Sequence, residues 1–153
     1  MLSNGKKTLG FIKNPLSIFF SQRFIHDISR HGKTHEVQRN LSLIETLTDL
    51  SVQMPRLYPT PADFEFIKPY QRKNYLCIAP ASIWFTKQLT KEKWVELINK
   101  NVHKNSEIVI YLIGSKDDIS LCENIITEVG KSNVINLAGR LSFLQSAALM
   151  KAV

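Results

Sequence analysis

The chain of 153 residues is poor in cysteine, has no long apolar run and lacks a complete phosphate-loop signature. Each absence removes a class of protein. Only two cysteines occur, Cys77 in an expected strand and Cys122 on the apolar face of an expected helix. They read as small core residues in a reducing compartment. No stretch approaches the ~18 uninterrupted apolar residues of a membrane-spanning helix. The start, Met1-Leu2-Ser3-Asn4-Gly5-Lys6-Lys7, is basic, but no continuous apolar segment follows it before Lys13 and Asn14. A secretory signal is therefore not expected, and the chain reads as cytoplasmic. His31-Gly32-Lys33-Thr34 ends like a nucleotide phosphate loop, yet the motif's first glycine would fall at Asp27. His31 and His35 lie four apart with no further ligand cluster, so neither a metal nor another cofactor is expected.

Apolar residues at 44% suffice for a core, and charged residues at 22% are too few for a disordered chain. The length suits one domain or pieces of two. The net charge of +7 is uneven: residues 1–74 hold 11 basic against 6 acidic side chains, and residues 75–153 hold 9 against 7. A basic first half suits an anionic partner such as nucleic acid, a phosphorylated glycan or a membrane surface, and equally a merely basic surface. No groove-reading motif accompanies the charge, so nucleic acid is not expected as a partner.

Along the first half, residues 8–12 read as a short strand stopped by Lys13-Asn14-Pro15. Residues 16–25 are apolar with no decisive period and stay unassigned. From His35 a helix is expected, with Val37, Leu41, Ile44 and Thr48 on one stripe and Thr34 as its N-cap. Residues 51–73 carry Pro55, Pro59 and Pro61 and read as a linker holding at most a short helix over 62–70. The expected division is 1–50, a linker over 51–74, and 75–153.

Beyond Tyr75 the pattern is regular. Strands are expected over 75–79, 107–113 and 133–137, each a short apolar run bounded by turn residues. Helices are expected between and after them. Trp94, Leu97, Ile98 and Val102 form the first apolar stripe, and Leu121, Cys122, Ile125, Ile126 and Val129 the second. Ser115 with Asp118, and Ser142 with Gln145, have capping-box spacing, and Gly130 is a helix stop. Three strand–helix units with short loops imply an α/β fold, a Rossmann-like parallel sheet with right-handed crossovers. Ligands of such sheets bind at the carboxyl ends of strands. The first such end is Pro80-Ala81-Ser82, with Lys87 five residues on. A small residue admits the backbone, a hydroxyl donates a hydrogen bond, and a lysine brings a point charge, a set suited to an anion. The same residues also fit a plain loop with a surface lysine.

The run Ile78-Ala79-Pro80-Ala81-Ser82-Ile83-Trp84-Phe85-Thr86-Lys87, followed by Lys93-Trp94 and Leu97-Ile98, resembles the second domain of lipopolysaccharide heptosyltransferases. These are the ADP-heptose-dependent enzymes of glycosyltransferase family nine. Leu112-Ile113-Gly114-Ser115-Lys116-Asp117-Asp118 and Asn136-Leu137-Ala138-Gly139-Arg140-Leu141-Ser142 are similar to that domain's second and third strands with their loops. Lys13-Asn14-Pro15-Leu16-Ser17 and His35-Glu36-Val37-Gln38-Arg39-Asn40-Leu41 resemble the close of the family's first domain. The resemblance implies a GT-B fold with the nucleotide-sugar on the second domain. Residues 1–50 would then end the acceptor-side domain, and 75–153 would supply the first three units of the donor-side domain.

By the same resemblance, Ser82, Thr86 and Lys87 fall where the donor diphosphate and sugar bind. Gly114, Ser115 and Asp118 fall near the nucleoside. Asp118 has two readings, ribose acceptor or capping-box partner, and both stand open. The implied reaction is inverting sugar transfer from ADP-heptose to lipopolysaccharide core or a lipid A-linked acceptor, with peripheral contact at the cytoplasmic face of the inner membrane. Ala81 replaces a glycine common in the family, and Gln88-Leu89 replaces Arg-Trp. The family's catalytic base sits in a glycine-rich loop with no counterpart before residue 8, and its Asp-Ser/Thr-Gly loop would come after Val153. No catalytic residue is therefore expected within the chain, which reads as a middle section truncated at both ends, of marginal stability. The competing reading is a non-catalytic nucleotide-binding or regulatory module.

Overall fold

The computed structural model describes residues 5–26, 35–49 and 51–152. It divides into two compact units, Met1–Arg56 and Leu57–Val153.

In the first unit, β1 (Leu9–Phe11) pairs in parallel with β2 (Gln22–Phe24), Leu9 opposite Gln22 and Phe11 opposite Phe24. The unassigned apolar stretch becomes a 3-10 turn, Pro15–Phe19, followed by β2. Asn14 starts the turn, its Oδ1 accepting the Leu16 N–H at 2.9 Å. Pro15 sits at the first position, where a missing N–H costs nothing. Ser17 is buried and its hydroxyl donates to the Ile12 carbonyl at 3.0 Å. With the polar residue turned inward, Leu16, Ile18 and Phe19 point outward and are exposed.

Helix α1 spans Glu36–Ser42 and stops well short of Thr48. The bonds after it close on the third residue back, Leu43 to Asn40, Ile44 to Leu41 and Leu47 to Ile44, so the chain tightens into turns. The N-cap is His35, whose Nδ1 accepts the Val37 N–H at 3.2 Å while Gln38 Oε1 accepts the His35 N–H at 3.0 Å. Thr34, the expected cap, and the His31-Gly32-Lys33-Thr34 segment lie outside the described residues. Arg39 pairs with Glu36 on the helix surface and lowers that carboxyl's pKa.

The second unit begins inside the segment read as a linker. Thr60 and Asp63 form a capping box, Pro61 takes the first helical position, and α2 (Pro61–Ile67) runs into a 3-10 turn, Lys68–Tyr70. Ile67 is fully buried beside Tyr75, Tyr111 and Leu149, so this helix is part of the core and not a tether.

Three strands follow, β3 (Tyr75–Ile78), β4 (Val109–Leu112) and β5 (Val134–Asn136), all parallel in the order β3-β4-β5. They alternate with α3 (Lys91–Lys104), α4 (Ile119–Val129) and α5 (Phe143–Lys151). Alternation along β4 divides the core. Ile110 and Leu112 pack with Ile98 of α3 and with Cys122, Ile125 and Val129 of α4. Tyr111, with Ile113 just past the strand, packs with Ile67 of α2 and with Ala148 and Leu149 of α5. A strand covered on both faces must be apolar throughout, which is why residues 109–113 show no polar alternation. Both crossover helices lie on one face, as right-handed connections between neighbouring strands require. α5 lies on the other. The two tyrosines at the centre spend their hydroxyls on backbone, Tyr111 donating to Tyr70 O at 2.7 Å and Tyr75 to Leu149 O at 2.8 Å.

Candidate functional site

The loops leaving β3 and β4 meet at the carboxyl edge of the second unit's sheet. Pro80 is fully buried, and its carbonyl accepts the Trp94 indole N–H at 3.2 Å, which pins the first loop to α3. Half-buried Ser82 follows, and its hydroxyl accepts the Trp84 N–H at 3.2 Å. A short 3-10 turn, Phe85–Lys87, closes with the Lys87 N–H on the Trp84 carbonyl at 2.9 Å.

The second loop is held by its own carboxylate. Asp118 Oδ2 accepts both the backbone N–H and the hydroxyl of Ser115, each at 2.7 Å. Gly114 is what allows this: a Cβ there would stand 2.8 Å from that same Oδ2 and 2.9 Å from the Asp118 Cβ. The third loop is stitched on by the Gly139 N–H, which donates to the Gly114 carbonyl at 3.0 Å. Gly139 has φ +70°, a left-handed conformation that favours glycine, and its Cα faces the Lys116 backbone. Asn136 at the end of β5 is buried and bonded on both sides, donating to Glu123 Oε1 at 2.6 Å and accepting from the Ala138 N–H at 2.9 Å.

Two cavities open on this edge. A polar one of about 450 Å³ is lined by Ala81, Ser82, Ile83, Ser115, Asp117 and Asp118. A more apolar one of about 380 Å³ lies between the ends of β3 and β4 and α5, with Ala79, Gly114, Leu141, Phe143 and Met150 among its walls. Ser115 borders both. Of the residues singled out in the sequence, Ser82, Ser115 and Asp118 thus share one cavity and Gly114 lines the next. Thr86 and Lys87 are exposed beyond them, with the Lys87 ammonium 5.9 Å from the Trp84 ring centroid. Asp118 is engaged as the Ser115 partner, and the exposed carboxylate on the same cavity is Asp117.

Within the quoted motif the resemblance singled out Asp118 and not its neighbour Asp117, and it did not point to Phe143 or Met150 on the apolar wall. Leu141, Phe143 and Met150 come from a different strand–helix unit and converge with the motif only in space. A third cavity of about 230 Å³, near Arg72, Lys73, Asn74 and Asn105, lies at the amino ends of the strands, where open α/β sheets do not hold their ligands. Burial pushes the thiols of both Cys77 and Cys122 up to about 11, which disfavours the nucleophilic thiolate. Among the described residues no group of three His, Cys, Asp or Glu side chains is placed to hold a metal. No described helix is long and apolar enough to cross a membrane.

Comparison with known proteins bears on the family and the fold. The sequence profile of glycosyltransferase family 9 (heptosyltransferase) matches residues 5–153. No curated protein matches at the level of sequence. Among solved structures, the chain is similar to a family 9 glycosyl transferase from Veillonella parvula DSM 2008 (TM-score 0.69, 14% identity, 88% of this chain and 40% of that one). It is similar to the ADP-heptose lps heptosyltransferase II of E. coli (TM-score 0.62, 15% identity, 84% and 43%). It is also similar to the E. coli heptosyltransferase WaaC with ADP (TM-score 0.55, 19% identity, 90% and 42%). At these identities the likeness is one of fold, the α/β GT-B type. The chain spans less than half the length of each of these structures.

Proposed function

Because the chain belongs to glycosyltransferase family 9, we propose that it holds the donor of a sugar transfer, an ADP-heptose-like nucleotide-sugar, for delivery to lipopolysaccharide core. The observation that carries this reading is the convergence of the Ser82 and Ser115 loops on one polar cavity with an apolar cavity beside it. A nucleotide-sugar has that same division: a charged diphosphate and hydroxylated rings at one end, a flat base at the other. The Ser82 hydroxyl and loop amides would face the diphosphate. Asp117 would accept from ribose hydroxyls, one of the two roles left open for Asp118. The base would lie among Leu141, Phe143 and Met150.

In inverting transfer the acceptor hydroxyl forms a bond to the anomeric carbon as the bond to the diphosphate breaks. Negative charge then grows on the leaving ADP. A cation held nearby stabilises that charge more than the ground state. Lys87 follows the cavity-lining Ser82 and Ile83 in the same loop, and its ammonium would have to leave the Trp84 face to reach the diphosphate. The base that takes the acceptor's proton is assigned to no residue of this chain. An acceptor of that class would put the work at the cytoplasmic face of the inner membrane.

Calorimetry with ADP tests the donor half. Lys87→Ala is expected to weaken binding about 10- to 100-fold, the loss of one charged hydrogen bond. Equal affinity in the two proteins removes Lys87 from the site. Sugar transfer from ADP-heptose to a truncated lipopolysaccharide tests the rest. ADP binding without turnover would favour a second reading, a non-catalytic nucleotide-binding module.

A further inference from the structure

Tyrosines aside, Asn136 is the one buried polar side chain among the described residues of the second unit. An amide at a strand end costs free energy to bury unless both its ends are bonded, a condition that an aliphatic side chain there would not carry. Both ends are bonded. The Ala138 N–H can only donate, so the Oδ1 of Asn136 must face it, at 2.9 Å. Nδ2 is then turned toward α4, where it donates to Glu123 Oε1 at 2.6 Å and to the Ile119 carbonyl at 3.3 Å. Both grips lead to the candidate site. Ile119 opens α4 directly after Asp118, which lines the polar cavity and holds Ser115. Ala138 precedes Gly139, whose N–H donates to the Gly114 carbonyl, and the same loop carries Leu141 to the wall of the apolar cavity. One buried amide thus sets the spacing between the 114–118 loop, shared by both cavities, and the wall that follows β5. Asn136 lines neither cavity, so it acts through these loops.

We propose that Asn136, braced by Glu123, is a positioning residue for the donor, holding the two walls at the spacing that a nucleoside diphosphate spans. The role rests on the donor reading above. Calorimetry with ADP on the full chain, well below the thermal midpoint of each variant, tests it. Asn136→Asp sets a carboxylate against Glu123 and the Ile119 carbonyl with no proton between them. It is expected to weaken ADP binding roughly tenfold, about the worth of one hydrogen bond from a displaced wall. The reciprocal double variant Asn136→Asp/Glu123→Gln puts a donating amide opposite that carboxylate and should regain most of the loss. Glu123→Ala spares the strand end, lies at an exposed helix position, and should weaken ADP about threefold. It keeps the test alive should Asn136→Asp fail to fold. Native affinity in either folded single variant, even with a lowered midpoint, makes Asn136 a stabiliser of the fold alone and overturns the role. So does a folded double variant that binds no more tightly than Asn136→Asp. No ADP binding by the native chain would instead remove the donor reading itself, and this role with it.

Discussion

The two units spend their apolar residues in opposite ways. In Leu57–Val153, helices cover both faces of a three-stranded sheet, and every fully buried large apolar side chain among the described residues belongs to this unit. In Met1–Arg56, two short parallel strands are followed by a helix with no buried residue, and the bulky groups of the 3-10 turn face outward. A parallel sheet is stable when both faces are covered. The second unit therefore behaves as a scaffold for a site, while the first is a surface organised around local hydrogen bonds.

The sharpest way to break this contrast is a matched pair of truncations. Leu112→Ala should cost about 2–5 kcal/mol, the usual penalty for emptying a fully buried aliphatic site. Ile18→Ala, at an exposed position, should stay within about 0.5 kcal/mol. Chemical denaturation reads both, and similar losses would mean that the first unit has a core after all. Next in size is Gly139→Ala, which forces a side chain into a left-handed backbone against Lys116 and should cost about 1–2 kcal/mol. A neutral result would show that the loop joining β5 to α5 can relax, and with it the wall of the candidate site. Tyr111→Phe should cost about 1 kcal/mol, the hydrogen bond to the Tyr70 carbonyl, and no loss would mean that water replaces it.

The smallest effect is one of pH, and it too belongs to the second unit. Cys77 and Cys122 have thiol pKa values raised by burial from 9.0 to about 11. Between those values the folded chain keeps protons that the unfolded chain releases. The contribution of the thiols is therefore fully present below pH 9 and is lost as pH rises toward 11. The stability difference between the native chain and Cys77→Ala should narrow over that window, and a constant difference would show that the thiol does not titrate with folding.

What could be read from the sequence was what is decided locally. The run at 109–113 announces a strand buried on both faces, and β4 with Ile113 beyond it is one. Ser142 with Gln145, and Gly130, mark helix ends by chemistry that acts within four residues, and both stand where expected. The short helix allowed over 62–70 is there as α2 and its 3-10 turn, but proline reads alike at a helix start and in a tether, and only the burial of Ile67 against α5 shows that the segment joins the core. The helix expected to reach Thr48 ends at Ser42 because Ile44 and Leu47, at 36% and 66% exposure, find no covering surface that would hold further turns. In the candidate site, Ser82 was visible as a strand-end residue and Ser115 with Asp118 as a capping box, their place near a nucleoside being implied only by the family resemblance. The apolar cavity was not, because its walls come from the ends of β3 and β4 and from α5, whose proximity is a property of sheet order.

The position of Ser115 on both cavities carries a further consequence for the proposed donor. A ligand whose two halves occupy the two chambers must pass this serine, so its halves act as tethered ligands. Once one half is seated, the other meets its chamber at an effective concentration fixed by the short covalent link instead of by its own abundance. Inorganic diphosphate and adenosine, offered separately, should then bind poorly even together, while ADP binds well. The selectivity of the site would lie in the span between two weak contacts, with the hydroxyl of Ser115, held by Asp118, marking where the span is crossed.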